Sequence, residues 1–282
     1  MKKPIVLTAV AVLALVSSGC GVMDKLKARD QLNKGVEAYK NAKYGEAVDH
    51  FKQAIELDPT NPNARLYLAT AYMNQYIPGA DSPDNNKNAQ AARDEFQKVL
   101  QDNPNDKMAV QSLASLSYSE AGGISDMDAK LKKLDEARKW NERLIQIDPN
   151  SKEGYYTLGV IDWAKWYPNY TAARVKLGMK PEDPGPIKDK KAREELKDKY
   201  DAMIQDGIKN LEAALKIDPQ YDDAMSYLNL LIRERADLDD NAEDYKKDVA
   251  TADMWMNKAM DTRKIKAAKA APTGGLTTGE QK

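Results

Sequence analysis

The residues able to do chemistry are few, and their numbers settle much at once. His50 is the only histidine and Cys20 the only cysteine. A His/Cys metal site needs three or four such ligands, and Cys–His or Ser–His catalysis needs an imidazole beside its nucleophile. With Cys20 assigned below to an acyl group and His50 next to Phe51 on a helix, neither constellation can form within one chain, and His50 reads as a solvated side chain. Carboxylates are plentiful. Asp84, Asn86, Asn88 and Glu95 approach the spacing of a calcium loop, as do Asp237, Asp239, Asn241 and Asp248. In both, an alanine (Ala89, Ala242) occupies the place where the sharp turn needs glycine, so both read as polar turns. Nothing singles out one acid pair for glycoside hydrolysis, and no phosphate-binding glycine loop is present. The expectation is a protein without catalytic residues, metal or cofactor.

Cys20 carries more information by its place than by its thiol. Lys2 and Lys3 give a basic start, Ile5 to Val16 form an apolar run of 12 residues broken only by Thr8, and Ser17, Ser18 and Gly19 are small. Twelve apolar residues are too few for a convincing membrane span. The pattern resembles a bacterial lipoprotein signal peptide, although Ser17 stands where such signals usually carry Leu. That resemblance implies removal of residues 1–19 and an acyl anchor of palmitate type at Cys20, with residues 20–27 as a linker. Gly21 rather than Asp after the cysteine implies, in Gram-negative bacteria, an outer-membrane site facing the periplasm. The formal net charge of −1, made slightly more acidic by loss of Lys2 and Lys3, gives no reason to expect nucleic acid.

The elements that would position any partner come from a repeat. Pro59, Pro104 and Pro149 stand 45 residues apart, each after an apolar run, and Pro219 follows 70 residues later. Behind each proline lies a ladder of buried-type positions. Its rungs are Ala47, Phe51, Ala54; Ala92, Phe96, Val99; Ala137, Asn141, Leu144; and Gly207, Leu211, Ala214, with Ala252, Met256, Ala259 as a fifth. Steps of four and three put them on one helical face. The proline then ends the helix. A second helical pattern follows each proline, with Leu68-Ala69, Leu113-Ala114 and Leu158-Gly159 in one phase. With 31% charged residues and only two Phe, an exposed helical array suits the composition better than one thick core.

Residues 28–61 resemble a tetratricopeptide (TPR) repeat, through Gly35, Tyr44, Ala47, Phe51, Ala54 and Asp58-Pro59. The resemblance continues through about residue 262. It implies an all-α, right-handed superhelical solenoid of about five TPR-like hairpins, at 28–61, 62–106, 107–151, 152–221 and 222–262; residues 263–282, rich in Ala, Lys, Gly and Thr, read by composition as a disordered tail. Three hairpins carry the same excess of 11 residues, close to three helical turns. Shared between two helices, the excess predicts taller hairpins. The fourth carries a larger insert containing Pro168, Pro181, Pro184, Gly185 and Pro186, followed by one long helix over 188–216.

In TPR proteins the first helices of successive hairpins line a concave groove. By that resemblance Tyr39, Met73, Tyr118, Trp163 and Arg233 share one column of it, with Tyr156 in another. The track is apolar and aromatic with few charges, and the Lys, Arg and Asn pattern with which related chaperone-binding members clamp a terminal carboxylate is absent from it. It favours an apolar peptide or amphipathic helix. Trp163, Trp166, Tyr167 and Tyr170 fall on roughly one face, where they form either a partner hot spot or the core anchoring the insert. The expected partner-binding set is Tyr39, Met73, Tyr118, Tyr156, Trp163, Trp166 and Tyr167. The chain then reads as a membrane-anchored envelope scaffold that binds a protein or peptide, akin to lipoproteins serving outer-membrane assembly, secretion or cell-wall hydrolases. The alternative is a ligand-binding accessory lipoprotein of a solute transporter.

Overall fold

The computed structural model describes residues 5–180 and 183–270. Among the described residues there are ten helices and no strand. They are α1 (Ile5–Lys40), α2 (Tyr44–Leu57), α3 (Pro62–Met73), α4 (Pro83–Asp102), α5 (Lys107–Gly122), α6 (Met127–Ile147), α7 (Lys152–Lys176), α8 (Lys190–Ile217), α9 (Asp222–Ala236) and α10 (Ala242–Ala270). Taken in pairs they are the five hairpins that the repeat predicts. Two compact units divide the chain at Arg143 and Leu144, within α6.

The recurring Asp-Pro turns have a local cause. Asp58 Oδ1 accepts from the backbone N–H of Thr60 at 3.2 Å, Asp148 Oδ1 from Asn150 at 3.1 Å, and Asp218 Oδ1 from Gln220 at 2.9 Å. Each carboxylate closes a short turn just past a helix end, where proline forbids continuation. The next helix starts on a cap: Asn61 accepts from Asn63 and Ala64, Asp106 from Ala109, and Ser151 from Gly154.

In the first unit the ladder packs as its spacing requires. Ala47, Val48, Phe51, Leu68 and Ala71 form a core, and Phe51 is 1% exposed. A Cβ on Gly35 would collide with the Phe51 ring, so the small-residue column exists to let α1 and α2 close on each other. α4, α5 and α6 are joined by ions as well. Arg93 of α4 pairs with Glu120 of α5 and Glu136 of α6, and Lys133 reaches Glu120 at 3.2 Å. In the second unit Ile204, Leu211, Leu228, Leu231, Ala252 and Ala259 build the core.

Four expectations are corrected. The extra length falls mostly on the second helix of a hairpin rather than being shared evenly: α3, α5 and α9 have 12, 16 and 15 residues, while α4, α6 and α10 have 20, 21 and 29 against 14 in α2. The second helix takes it because its buried face continues along the partner, whereas the first yields at the turn that Pro78 and Gly79 impose. Residues 20–27 are not a separate linker but an unbroken part of α1. The tail does not begin at 263, since α10 runs to Ala270, held by Arg263 and Lys266 on Asp222; residues 271–282 lie outside the described residues. His50 is half-buried rather than solvated, its Nδ1 lying 2.7 Å from Gln31 Oε1. The expected signal segment coincides with the start of α1 beyond residues 1–4, which are outside the described residues, as are the side chains through Cys20.

Candidate functional site

The densest aromatic surface in the second unit lies on α7 and faces α9. Ser151 caps α7, which continues through Pro168 to Lys176, so that proline belongs to the helix and not to the insert. Trp163 stacks on Tyr167 with centroids 4.7 Å apart and meets Tyr227 edge-on at 5.3 Å. Its indole nitrogen donates to Glu234 Oε1 at 3.0 Å. Tyr156 packs against Tyr221 and Tyr227 at 4.9 and 5.8 Å.

Below this layer sits a buried polar floor. Glu234 is 5% exposed, and its Oε2 and the Trp166 indole nitrogen are both buried without a well-formed hydrogen bond, the indole being near enough to act on the carboxyl. Burial pushes the Glu234 carboxyl up to about 8, against the opposing pull of the Trp163 and Trp166 indoles. It is therefore mostly uncharged at neutral pH. Arg174 and Asp237 form a buried ion pair, and Tyr170 donates to Asp237 Oδ2 at 2.7 Å. Burial raises Asp237, with Tyr170 and Arg174 working against it; burial and the Asp237 charge raise the Tyr170 phenol.

The same pair secures the insert. Arg174 Nη2 donates to the carbonyls of Lys180 and Asp183 at 2.8 and 2.6 Å, and the Asp237 carbonyl accepts from Ile187 at 3.0 Å. Ile187 is fully buried, and a Cβ on Gly185 would run into Asp237 Oδ1. Glycine is required there by that close approach. Above the floor a cleft of about 190 Å³ opens between α7 and α9, lined by Tyr167, Tyr170, Thr171, Arg174, Val175, Met179, Leu230, Arg233 and Glu234. Val175 is 71% exposed and Tyr167 39%. A larger cleft of about 530 Å³, in the first unit, lies among Tyr76, Asp81, Gln90, Glu120 and Lys133, of which Glu120 and Lys133 pair with each other.

Comparison with known proteins bears on the hairpins first. Residues 35–75 match the TPR repeat. Across most of the chain the fold is similar to that of MamA. The MamA structure from Desulfovibrio magneticus RS-1 has 19% identity and a TM-score of 0.50, covering 85% of this chain and 96% of that one. A second MamA structure has 14% identity and a TM-score of 0.51, covering 88% and 98%. Residues 35–75 thus carry a TPR repeat, within a chain whose helical-hairpin fold is shared with MamA. The human RNA polymerase II-associated protein 3 is 28% identical over 142 residues, which are 50% of this chain. The chain spans 18% of that relative's length.

Within the hairpins the expected site residues separate by burial. Trp166 is 0% exposed, locked between Tyr170 and Tyr200; it is core, not surface, because α8 of its own hairpin covers that face. Trp163 and Tyr156 are half-buried and pack on the same core. Tyr167 stays open. In the first unit Tyr39, Met73 and Tyr118 are half-buried, and Tyr39 accepts from Asn74 Nδ2 at 2.8 Å. Tyr39, Met73 and Tyr118 lie in one unit and Tyr156, Trp163, Trp166 and Tyr167 in the other, so the aromatic cluster that the geometry assembles is that of α7 alone. Glu234 and Asp237 are the residues that sequence reasoning missed as part of this cluster. Their chain distance from Trp163, about 70 residues, hides the pairing, and only the shared hairpin phase of Trp163 and Arg233 points to it.

Proposed function

We propose that this protein is an adaptor held on the cell envelope by an acyl group on Cys20, and that it grips a partner polypeptide through an apolar side chain seated between α7 and α9. The observation that carries the reading is the cleft of about 190 Å³, whose walls are apolar and whose Tyr167 and Val175 stay exposed. That volume suits one ring or branched side chain, and rigid aromatic walls contribute contact area at small entropic cost. The human relative is, by its name, an associate of another protein assembly, which supports attachment to a partner as the common mode. The basic, apolar and small-residue run ahead of Cys20 supports the anchor, and Gly21 supports a periplasm-facing outer-membrane site.

The test replaces Tyr167 with a photo-crosslinking amino acid in envelope membranes, alongside a Tyr167→Ala, Val175→Ser variant. One stoichiometric adduct, and capture of that same partner about tenfold weaker in the variant at unchanged helicity, is expected. Unchanged capture by the folded variant rejects the cleft. Mass spectrometry of the peptide beginning at Cys20 reads the acyl group directly.

A second reading follows from the buried Glu234 at the cleft floor, which fits a small aromatic solute handed to a transporter. Native mass spectrometry of the purified protein distinguishes it, since a solute of single-ring size would be retained in the absence of any polypeptide partner.

A further inference from the structure

α1 starts well before the hairpin it serves. Residues 21–27 precede Ala28, the first buried position at 1% exposure. Along that stretch Val22, Met23 and Leu26 are 62%, 54% and 58% exposed. At about 100° per residue these three side chains span roughly 100° of the helix, on the side away from Ala28. Lys25 and Arg29 border that arc on one side and Lys27 on the other, all exposed. Asp24 falls on the opposite side, with its carboxylate 3.8 Å from Lys27 Nζ. Among the described residues of the first unit nothing buries these three side chains.

We infer that Val22, Met23 and Leu26 are a membrane-contact facet that lies in the headgroup layer of an anionic bilayer and holds the first hairpin against the membrane. Two features choose this occupant. The facet begins two residues after Cys20, the place of the proposed anchor, in the same helix. Its cations flank the apolar arc, so their stems can lie along the acyl boundary while their charges meet lipid phosphates. From Cys20 to Leu26 the helix rises only about 9 Å, which keeps the facet within the interfacial layer. An acyl chain alone leaves a protein free to swing, and a second membrane signal fixes its posture. The inference rests on membrane attachment near Cys20.

The experiment exploits the single cysteine. Leu26→Cys and Asp24→Cys variants of the protein, purified from envelope membranes, are labelled with a polarity-sensitive fluorophore. They are then reconstituted in phosphatidylethanolamine vesicles containing about one quarter phosphatidylglycerol and a quencher lipid. The label at 26 is expected to shift to the blue and to be quenched at least about threefold more than the label at 24. Equal quenching at the two positions, or a label at 26 that remains in water, overturns the facet. The count of labels tests the anchor separately: one per chain when Cys20 is acylated, two when its thiol is free. Far-ultraviolet circular dichroism checks that both variants keep their helices.

Discussion

The indole nitrogen of Trp163 on α7 lies 3.0 Å from Glu234 Oε1 on α9, and through it the first helices of two successive hairpins share a polar bond inside an apolar wall. Removing either partner should therefore disturb the fold, whereas exposed groups nearby should tolerate change.

The Trp163 ring stacks on Tyr167 and touches Tyr227 besides holding Glu234. Trp163→Ala should cost about 3 kcal/mol, from lost packing and a buried carboxyl left without its donor. Tyr167→Ala, at a more exposed position, should cost under about 1 kcal/mol. Urea unfolding of the two variants checks this, and equal losses would show that the aromatic layer is one rigid unit.

Glu234 gives a pH signature. Its folded value of about 8 lies above its ordinary value, so between roughly pH 4.5 and 8 the folded protein holds a proton that the unfolded chain has released. Stability from this group is full at the acid end and is lost as pH rises through the folded value, by at most about tenfold in the folding constant per pH unit. Glu234→Gln should remove that slope and stabilise the protein at pH 8 relative to wild type. Thermal melts across pH 5 to 8 measure it, and parallel curves for both proteins would contradict the assignment.

Arg174 and Asp237 are 4% exposed each and tie the insert to both helices. Asp237→Ala leaves a buried guanidinium uncompensated and should destabilise by about 3 to 5 kcal/mol. The Arg174→Met, Asp237→Leu double variant, which removes both charges, should lose distinctly less. Limited proteolysis should cut first within residues 177–189 in the single variant. A double variant as unstable as the single one would mean that the backbone bonds of Arg174, not its charge, hold the insert.

Phe51 fills the space that Gly35 leaves. Phe51→Ala should cost about 3 to 5 kcal/mol. Gly35→Val should be similarly damaging, because the clash falls on a ring fixed on all sides. Calorimetry of each variant checks the pair; a mild Gly35→Val would show that α1 and α2 can separate without loss.

How much of this was legible beforehand differs by residue. Ala47, Phe51 and Ala54 announce their hairpin because helix periodicity is local, and all three are buried. Tyr167 and Trp166 are neighbours in the chain with the same aromatic promise, yet one is 39% exposed and the other 0%. No local rule separates them, since their fates depend on where Tyr200 and Glu234 arrive from distant segments. Pro168 misled for a related reason. It reads as a breaker, but contacts made by the rest of α7 carry the helix past it.

By itself the sequence determined the all-helical class, the five hairpins and the Asp-Pro turns between them. Those follow from interactions within a few residues: periodic apolar faces, capping oxygens and the missing N–H of proline. Only the tertiary structure decided which aromatic side chains stay open, that Glu234 sits neutral in the wall, and that Arg174 and Asp237 close the insert. Burial, and the protonation it imposes, depends on atoms brought together across tens of residues, and that proximity exists only once α7, α8 and α9 have packed.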